Sequence, residues 1–307
     1  MKNHSKLSLF ILFLVAVLVF ACNQISDKNA KETILKGSTI IYVDETLAPI
    51  IEDQVSVFEN EYEAKVTLVA KSESETVNSL FKEEAAIAIL SRNLSAEELK
   101  IFKQRKINPK TTVFATDAIA FIANKNNKDT LVALQDVISF MQGKPVASIK
   151  GLVFDNPNSS TVRYMNSLAG INAIPEKGVF SFKSNDEVIK YVSENDGMIG
   201  VVGVNWLSQP LPAMQTYVDN VTTLGVKGLK SDNYYIPSQN NIAEGKYPLA
   251  RDLYIINCQG FSGLGMGFAS FVAGDVGQRI ILKSGLLPVR IPTRKFTIIG
   301  KDQNDKK

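Results

Sequence analysis

Histidine is nearly absent from this chain of 307 residues, the single one being His4. From residue 22 onward there is no imidazole, which excludes Ser-His-Asp and Cys-His catalysis and histidine-ligated metal sites there. Cysteine is equally scarce. Of the two, Cys258 closes the apolar run Leu253–Cys258 and reads as a buried strand residue, so with Cys22 modified no intrachain disulfide can form. Net charge is small too: 34 Lys+Arg against 31 Asp+Glu give +3, and leaving out residues 1–21, which hold Lys2 and Lys6, gives +1. A near-neutral chain without a basic stripe offers nothing to a nucleic-acid backbone. Repeats and low-complexity tracts are missing, and 45% hydrophobic with 21% charged residues is a globular composition, long enough for about two domains.

What is present begins with two lysines and the apolar run Leu7–Ala21, too short for a comfortable membrane span and the right length for an export signal. The stretch Val19-Phe20-Ala21-Cys22 resembles a bacterial lipobox, with Phe20 bulkier than usual. Cleavage before Cys22 and acylation of its thiol would tie the chain to a membrane by lipid. The expectation is a lipoprotein signal peptide over residues 1–21, a polar tether over 22–36 and a location on the bacterial cell envelope, facing periplasm or exterior. A signal anchor with a chance cysteine is the alternative.

Beyond the tether, β-branched and apolar runs alternate with helical patterns, the mark of an α/β fold with largely parallel pairing. Strands are expected at Thr39–Val43, Lys65–Ala70, Ala86–Leu90, Ala118–Asn124, Gly151–Phe154, Gly197–Val204 and Arg251–Cys258. In Leu47–Tyr62 the residues Ile50, Ile51, Val55, Phe58 and Tyr62 recur at helical spacing. Capping boxes at Ser95–Glu98 and Ser184–Glu187 open further helices, and helices are also expected at Leu131–Gln142, Phe268–Ala273 and Val276–Lys283. The glycine run Gly260–Gly267 has Phe268 where a dinucleotide loop needs its third glycine, so it reads as close strand-to-helix packing.

Four of these strands end in a hydroxyl residue at the start of a turn or helix: Thr46 after the first, Ser72 and Ser74 after the second, Ser91 after the third, and Ser159, Ser160 and Thr161 after Gly151–Phe154. The carboxyl edge of an open α/β sheet is where ligands sit, and helix N-termini present free N–H groups to an anion. Hydroxyls complete such a site because each donates without adding charge. A lone Ser or Thr there is only an N-cap; four together point to an oxyanion cradle.

With these residues in place the chain resembles the periplasmic phosphate-binding proteins of bacterial ABC transporters, members of the type 2 solute-binding fold. The resemblance runs in order through Gly37-Ser38-Thr39, Phe58–Tyr62, Ala88–Ser95, Leu131–Lys144, Asn158–Thr161, Gly197–Val201 and Tyr247–Arg251. It implies two α/β lobes, each a mostly parallel sheet flanked by helices, with a hinge of two crossing strands: residues 37–117 and 205–300 in lobe one, 118–204 in lobe two, and a disordered tail at 301–307. It further implies a monomer without cofactor, metal or enzymatic activity, which captures inorganic phosphate or a similar oxyanion between its lobes and hands it to an ABC permease.

Residue by residue, Ser159, Ser160 and Thr161 match the family's Ser-Gly-Thr loop, Thr46 (or Glu45) its first-strand turn, and Ser74 (or Ser72) its second-strand serine. Two departures stand out. The family's proton-accepting aspartate is replaced by Ser91-Arg92-Asn93, and its arginine before the Ser-Gly-Thr loop by Asp155. The expectation is therefore an exchange of sign, with Arg92 as main charge partner, Asp155 as proton acceptor and Arg163 as a second donor. Alternatively Asp155 satisfies its own turn, Arg92 makes a surface ion pair, and the fold serves a non-transport lipoprotein with a lost or different ligand.

Overall fold

The computed structural model describes residues 32–293. The expected signal peptide, the acylation site Cys22, the tether as far as residue 31 and the tail at 301–307 lie outside the described residues.

The apolar runs become strands and the amphipathic segments become helices in the order β1 (Lys36–Asp44), α1 (Ala48–Glu61), β2 (Glu63–Lys71), α2 (Glu73–Phe81), β3 (Ile87–Leu90), α3 (Ala96–Gln104) and β4 (Lys110–Asn124). There follow β5 (Leu131–Ala133), α4 (Leu134–Met141), β6 (Gly151–Phe154), α5 (Ser160–Ala169), β7 (Val179–Ser181), α6 (Asn185–Glu194), β8 (Met198–Gly203), α7 (Asn205–Ser208) and α8 (Gln215–Asp219). The chain ends with β9 (Val221–Thr223), β10 (Gly225–Lys227), β11 (Tyr234–Tyr235), α9 (Gln239–Ala243), β12 (Ala250–Asn257), α10 (Leu264–Val272), α11 (Asp275–Lys283) and β13 (Leu287–Pro288).

The main sheet runs β2-β1-β3-β12-β4-β8-β6-β7. Its outer arms are parallel, β2-β1-β3 on one side and β8-β6-β7 on the other, and β12 and β4 join them in antiparallel fashion. β4 is the strand that makes two lobes. Its first half pairs with β12 from Lys110 to Ala118, and its second half with β8 from Ile119 to Ala123. Parallel arms with helices on both faces require near-continuous apolar strands, and β3, β6 and the second half of β4 are accordingly buried.

Three expectations shift. Ala118–Asn124 is only the end of a strand that begins at Lys110, because the alternating Thr111–Thr116 stretch extends it along β12. Leu131–Ala133 is extended and not the start of a helix: Val132 is buried against β10, with which it pairs. The block 205–300 does not stay in the first lobe, since β9 pairs with Ile122–Asn124 at the second-lobe end of β4 and β10 forms a small sheet with β5 and β11. Cys258 lies half-buried just beyond the end of β12, where burial pushes its thiol up to about 11, so it is un-ionised at neutral pH.

The first lobe's core centres on Phe58 of α1, whose ring meets Tyr62, Phe268 and Phe271 at centroid distances of 5.0, 5.4 and 5.3 Å. The glycine run after β12 has a use beyond strand-to-helix packing. Glu32 accepts from Leu264 N at 2.6 Å and from Gln259 Nε2 at 2.9 Å, so the arm before β1 caps the first turn of α10. A β-carbon on Gly267 would stand 1.6 Å from the Ile34 carbonyl oxygen. Gly267→Ala is expected to dislodge this arm at a cost of about 1–3 kcal/mol. Urea denaturation reads the cost, and faster amide exchange confined at first to residues 33–40 reads the cause.

Candidate functional site

The carboxyl ends of β1, β3 and β6 and the start of β12 meet at one point between the lobes. Asp44 closes β1 and caps the turn that follows, accepting from Thr46 N at 3.1 Å. The turn presents Thr46 inward, fully buried, with its carbonyl held from behind by Asn205 Nδ2 at 3.1 Å and Trp206 Nε1 at 2.9 Å. On the other lobe Ser159 caps α5, accepting from Val162 N at 3.2 Å, and Ser160 and Thr161 form its first turn. The amides of that turn have no partner within the helix and face an anion well.

At the centre lies Arg251, the second residue of β12, 5% exposed. It stands opposite Asp117 in the β12–β4 register, and its Nε and Nη2 donate to Asp117 Oδ2 at 3.2 and 3.0 Å. The rest of the guanidinium turns to hydroxyls of both lobes: Nη1 donates to Ser160 Oγ at 2.9 Å and Ser91 Oγ at 3.4 Å, and Nη2 to Thr46 Oγ1 at 3.5 Å. Thr46 Oγ1 and Ser160 Oγ are themselves 3.0 Å apart across the cleft. Burial opposes its charge, but Asp117 and Asp44 outweigh burial and hold Arg251 above the usual guanidinium range.

The structure thus brings Thr46, Ser91 and Ser160 together around Arg251, with Ser159 capping α5 and Thr161 buried in its first turn, while the charged residues expected there are engaged elsewhere. Arg92 is not at the centre. Its Nε donates to Glu73 Oε1 at 2.8 Å and its Nη atoms grip Glu98 at 2.7 and 2.8 Å, so its donors are consumed within the first lobe. Arg163 also bonds Glu73, through Nε and through Nη2 at 3.1 Å. Asp155 is fully buried with both oxygens engaged, by Ser159 Oγ at 2.5 Å and Asn185 Nδ2 at 3.0 Å. Ser74 is exposed on α2, and the hydroxyl of Ser72 is spent on Glu75 at 2.6 Å in a capping box. Glu45 has one carboxylate oxygen, Oε1, buried without a partner.

Two further carboxylate oxygens there lack partners, Asp44 Oδ2 and Asp117 Oδ1, as does Thr161 Oγ1. Unmet buried acceptors beside one arginine fit a guest that brings both negative charge and protons. The guanidinium among these hydroxyls is that of Arg251, whereas Arg92 is the one expected there. In the sequence Arg251 shows only as the end of the Tyr247–Arg251 stretch and as a charged residue, next to Asp252, where an apolar run begins.

This is a two-lobed binding protein with a buried polar cluster between its lobes. The PBP superfamily domain model matches residues 29–276, and the chain belongs to that superfamily. It is 27% identical over 305 residues to the phosphate-binding protein PstS of Borreliella burgdorferi, covering 93% of this chain and 99% of that protein. A Clostridium perfringens crystal structure that holds bound phosphate superposes with a TM-score of 0.68 at 20% identity, covering 83% of this chain and all of that one. An ABC-type phosphate transport receptor from Vibrio cholerae gives 0.63 at 18% identity, with 82% and 100% covered.

Burial is the chief cause that pushes Asp44 up to about 6 and Glu45 and Asp155 up to about 7. Folding therefore takes up protons at these sites. The stability they contribute is complete below the unfolded carboxylate range near pH 4 and is lost as pH rises through about 6 to 7. The melting temperature of the unliganded protein is expected to fall between pH 4.5 and 7.5, and Asp155→Asn to flatten that slope. Calorimetric scans across the range check it, and a rising profile is the contrary result.

Proposed function

We propose that this chain is an extracytoplasmic receptor that encloses inorganic phosphate between its lobes, held to the membrane by lipid at Cys22, and as a monomer delivers it to an ABC permease. The observation that carries this reading is the Arg251 cluster: one buried guanidinium reaching hydroxyls of both lobes. The Borreliella relative's name and the bound phosphate of the Clostridium structure support the same ligand. The role proposed is binding and not catalysis, in line with the relatives, which are named for phosphate binding and transport.

In this reading phosphate occupies the space between Thr46 and Ser160, parting their 3.0 Å contact. Arg251 supplies the charge, while Thr46, Ser91, Ser160 and Thr161 donate through hydroxyls and the first turn of α5 through amides. The proton acceptor is Asp44 in preference to Asp155. Asp44 Oδ2 is buried without a partner and lies beside Ser160 and Arg251, whereas both oxygens of Asp155 are already bonded. A carboxylate facing the ligand welcomes an oxyanion that still carries a proton and repels sulfate.

Isothermal titration with phosphate and then sulfate tests this. Wild type is expected to bind phosphate and reject sulfate. Arg251→Met should weaken phosphate by about a hundredfold or more, the loss of a buried charge-assisted bond, while Arg92→Met changes it far less. Asp44→Asn should admit sulfate and Asp155→Asn should not. Equal losses at Arg92 and Arg251, or a sulfate-binding Asp155→Asn, would return the assignments to those read from the sequence.

A further inference from the structure

At the mouth of the cleft, outside the hydroxyl cluster, lies a cavity of about 370 Å³ lined by Ser91, Arg92, Arg163, Tyr164, Arg251 and others. Ser91 and Arg251 are the residues of the cluster that reach it. Spanning its edge is Glu73, at the first position of α2 in the first lobe and 1% exposed. Its carboxylate accepts from Arg163 of α5 in the second lobe through both oxygens, from Arg92 Nε, and from Ser91 Oγ at 3.3 Å. Four donor atoms of three residues satisfy one buried carboxylate, and of these residues only Arg163 comes from the opposite lobe.

We propose that Glu73 is a positioning residue that latches the closed cleft through Arg163 and so sets how long the anion stays. A carboxylate this buried needs its donors, and opening the lobes removes Arg163 while Arg92 and Ser91 remain. The closed form is therefore favoured by the bond itself, before any ligand arrives. Ser91 links latch to site, because its hydroxyl lies between Glu73 Oε2 and Arg251 Nη1. Glu73 and Glu98 balance Arg92 and Arg163 in charge, so the latch adds no net attraction for the anion and acts on closure alone. Affinity for a ligand that binds only the closed form scales with the fraction closed.

This inference rests on the phosphate reading for its kinetic readout but not for its structural one. Stopped-flow binding to Arg163→Met and Glu73→Gln is expected to give phosphate dissociation about tenfold faster than wild type with association nearly unchanged. The double variant should be no faster than either single one, since both remove the same bond. In the absence of ligand, an interlobe distance measured by fluorescence transfer should lengthen in both. Arg163→Met alters a side chain that is 39% exposed, so it tests the latch even where Glu73→Gln folds poorly. Unchanged dissociation together with an unchanged unliganded distance would overturn the latch. Failure of wild type to bind phosphate, with the distance still lengthened in the variants, would overturn the ligand and leave the latch standing.

Discussion

The pairing of Arg251 with Asp117 is the constraint around which the rest is arranged. A guanidinium this buried is costly unless its donors are met. Asp117 sits opposite it on the central antiparallel ladder, but both of its bonds go to a single oxygen, Oδ2. The remaining donors must be met by something else, and in this structure they are met by hydroxyls delivered from three strand ends. The pair joins β12 to β4, the strand whose two halves pair with different partners, where it can face both sides of the cleft at once. Moving the charge to the outer edge of either arm would lose one lobe's hydroxyls.

Much of the architecture is legible in the chain because it is written locally. Strands β1, β2, β3, β6, β8 and β12 announce themselves as short apolar runs, and the hydroxyl residues that follow β1, β3 and β6 mark the sheet edge where the site forms. The short strands β9, β10 and β11 have no such signal. They are two or three residues long and extended only because β4, β5 and β10 respectively offer β9, β10 and β11 an edge. The charged members of the site are the least legible. Arg251 and Asp117 are 134 positions apart, and Glu73 and Arg163 are 90 apart. Arg92 and Arg163 look like ligand donors because they flank the right loops, and nothing nearby in sequence reveals that Glu73, itself at the start of a capped helix, takes both.

The same bookkeeping of charge limits what the site can hold. Arg251 is matched by Asp117, Arg92 and Arg163 by Glu98 and Glu73, and Asp44, Glu45 and Asp155 add acceptors that burial keeps partly protonated near neutral pH. Such a site has no surplus positive charge to draw in any anion. In the proposed reading, binding rests on the directed guanidinium, hydroxyl and amide donors, which reward shape and number of oxygens, and on protons on the guest that meet the free carboxylate oxygens.

A site of this kind trades reach for discrimination. Hydroxyl donors act only at contact distance, whereas unpaired cations act over about 8–10 Å at physiological salt. The donors from the two lobes therefore cooperate only when the lobes are shut, and an anion that fits poorly keeps Thr46 and Ser160 from closing on it. Closure then becomes part of recognition. In the proposed reading, β4, the arginine that faces it from β12 and the carboxylate that ties α2 to α5 act as one mechanical unit, in which the selectivity of the site depends on how readily its walls come together.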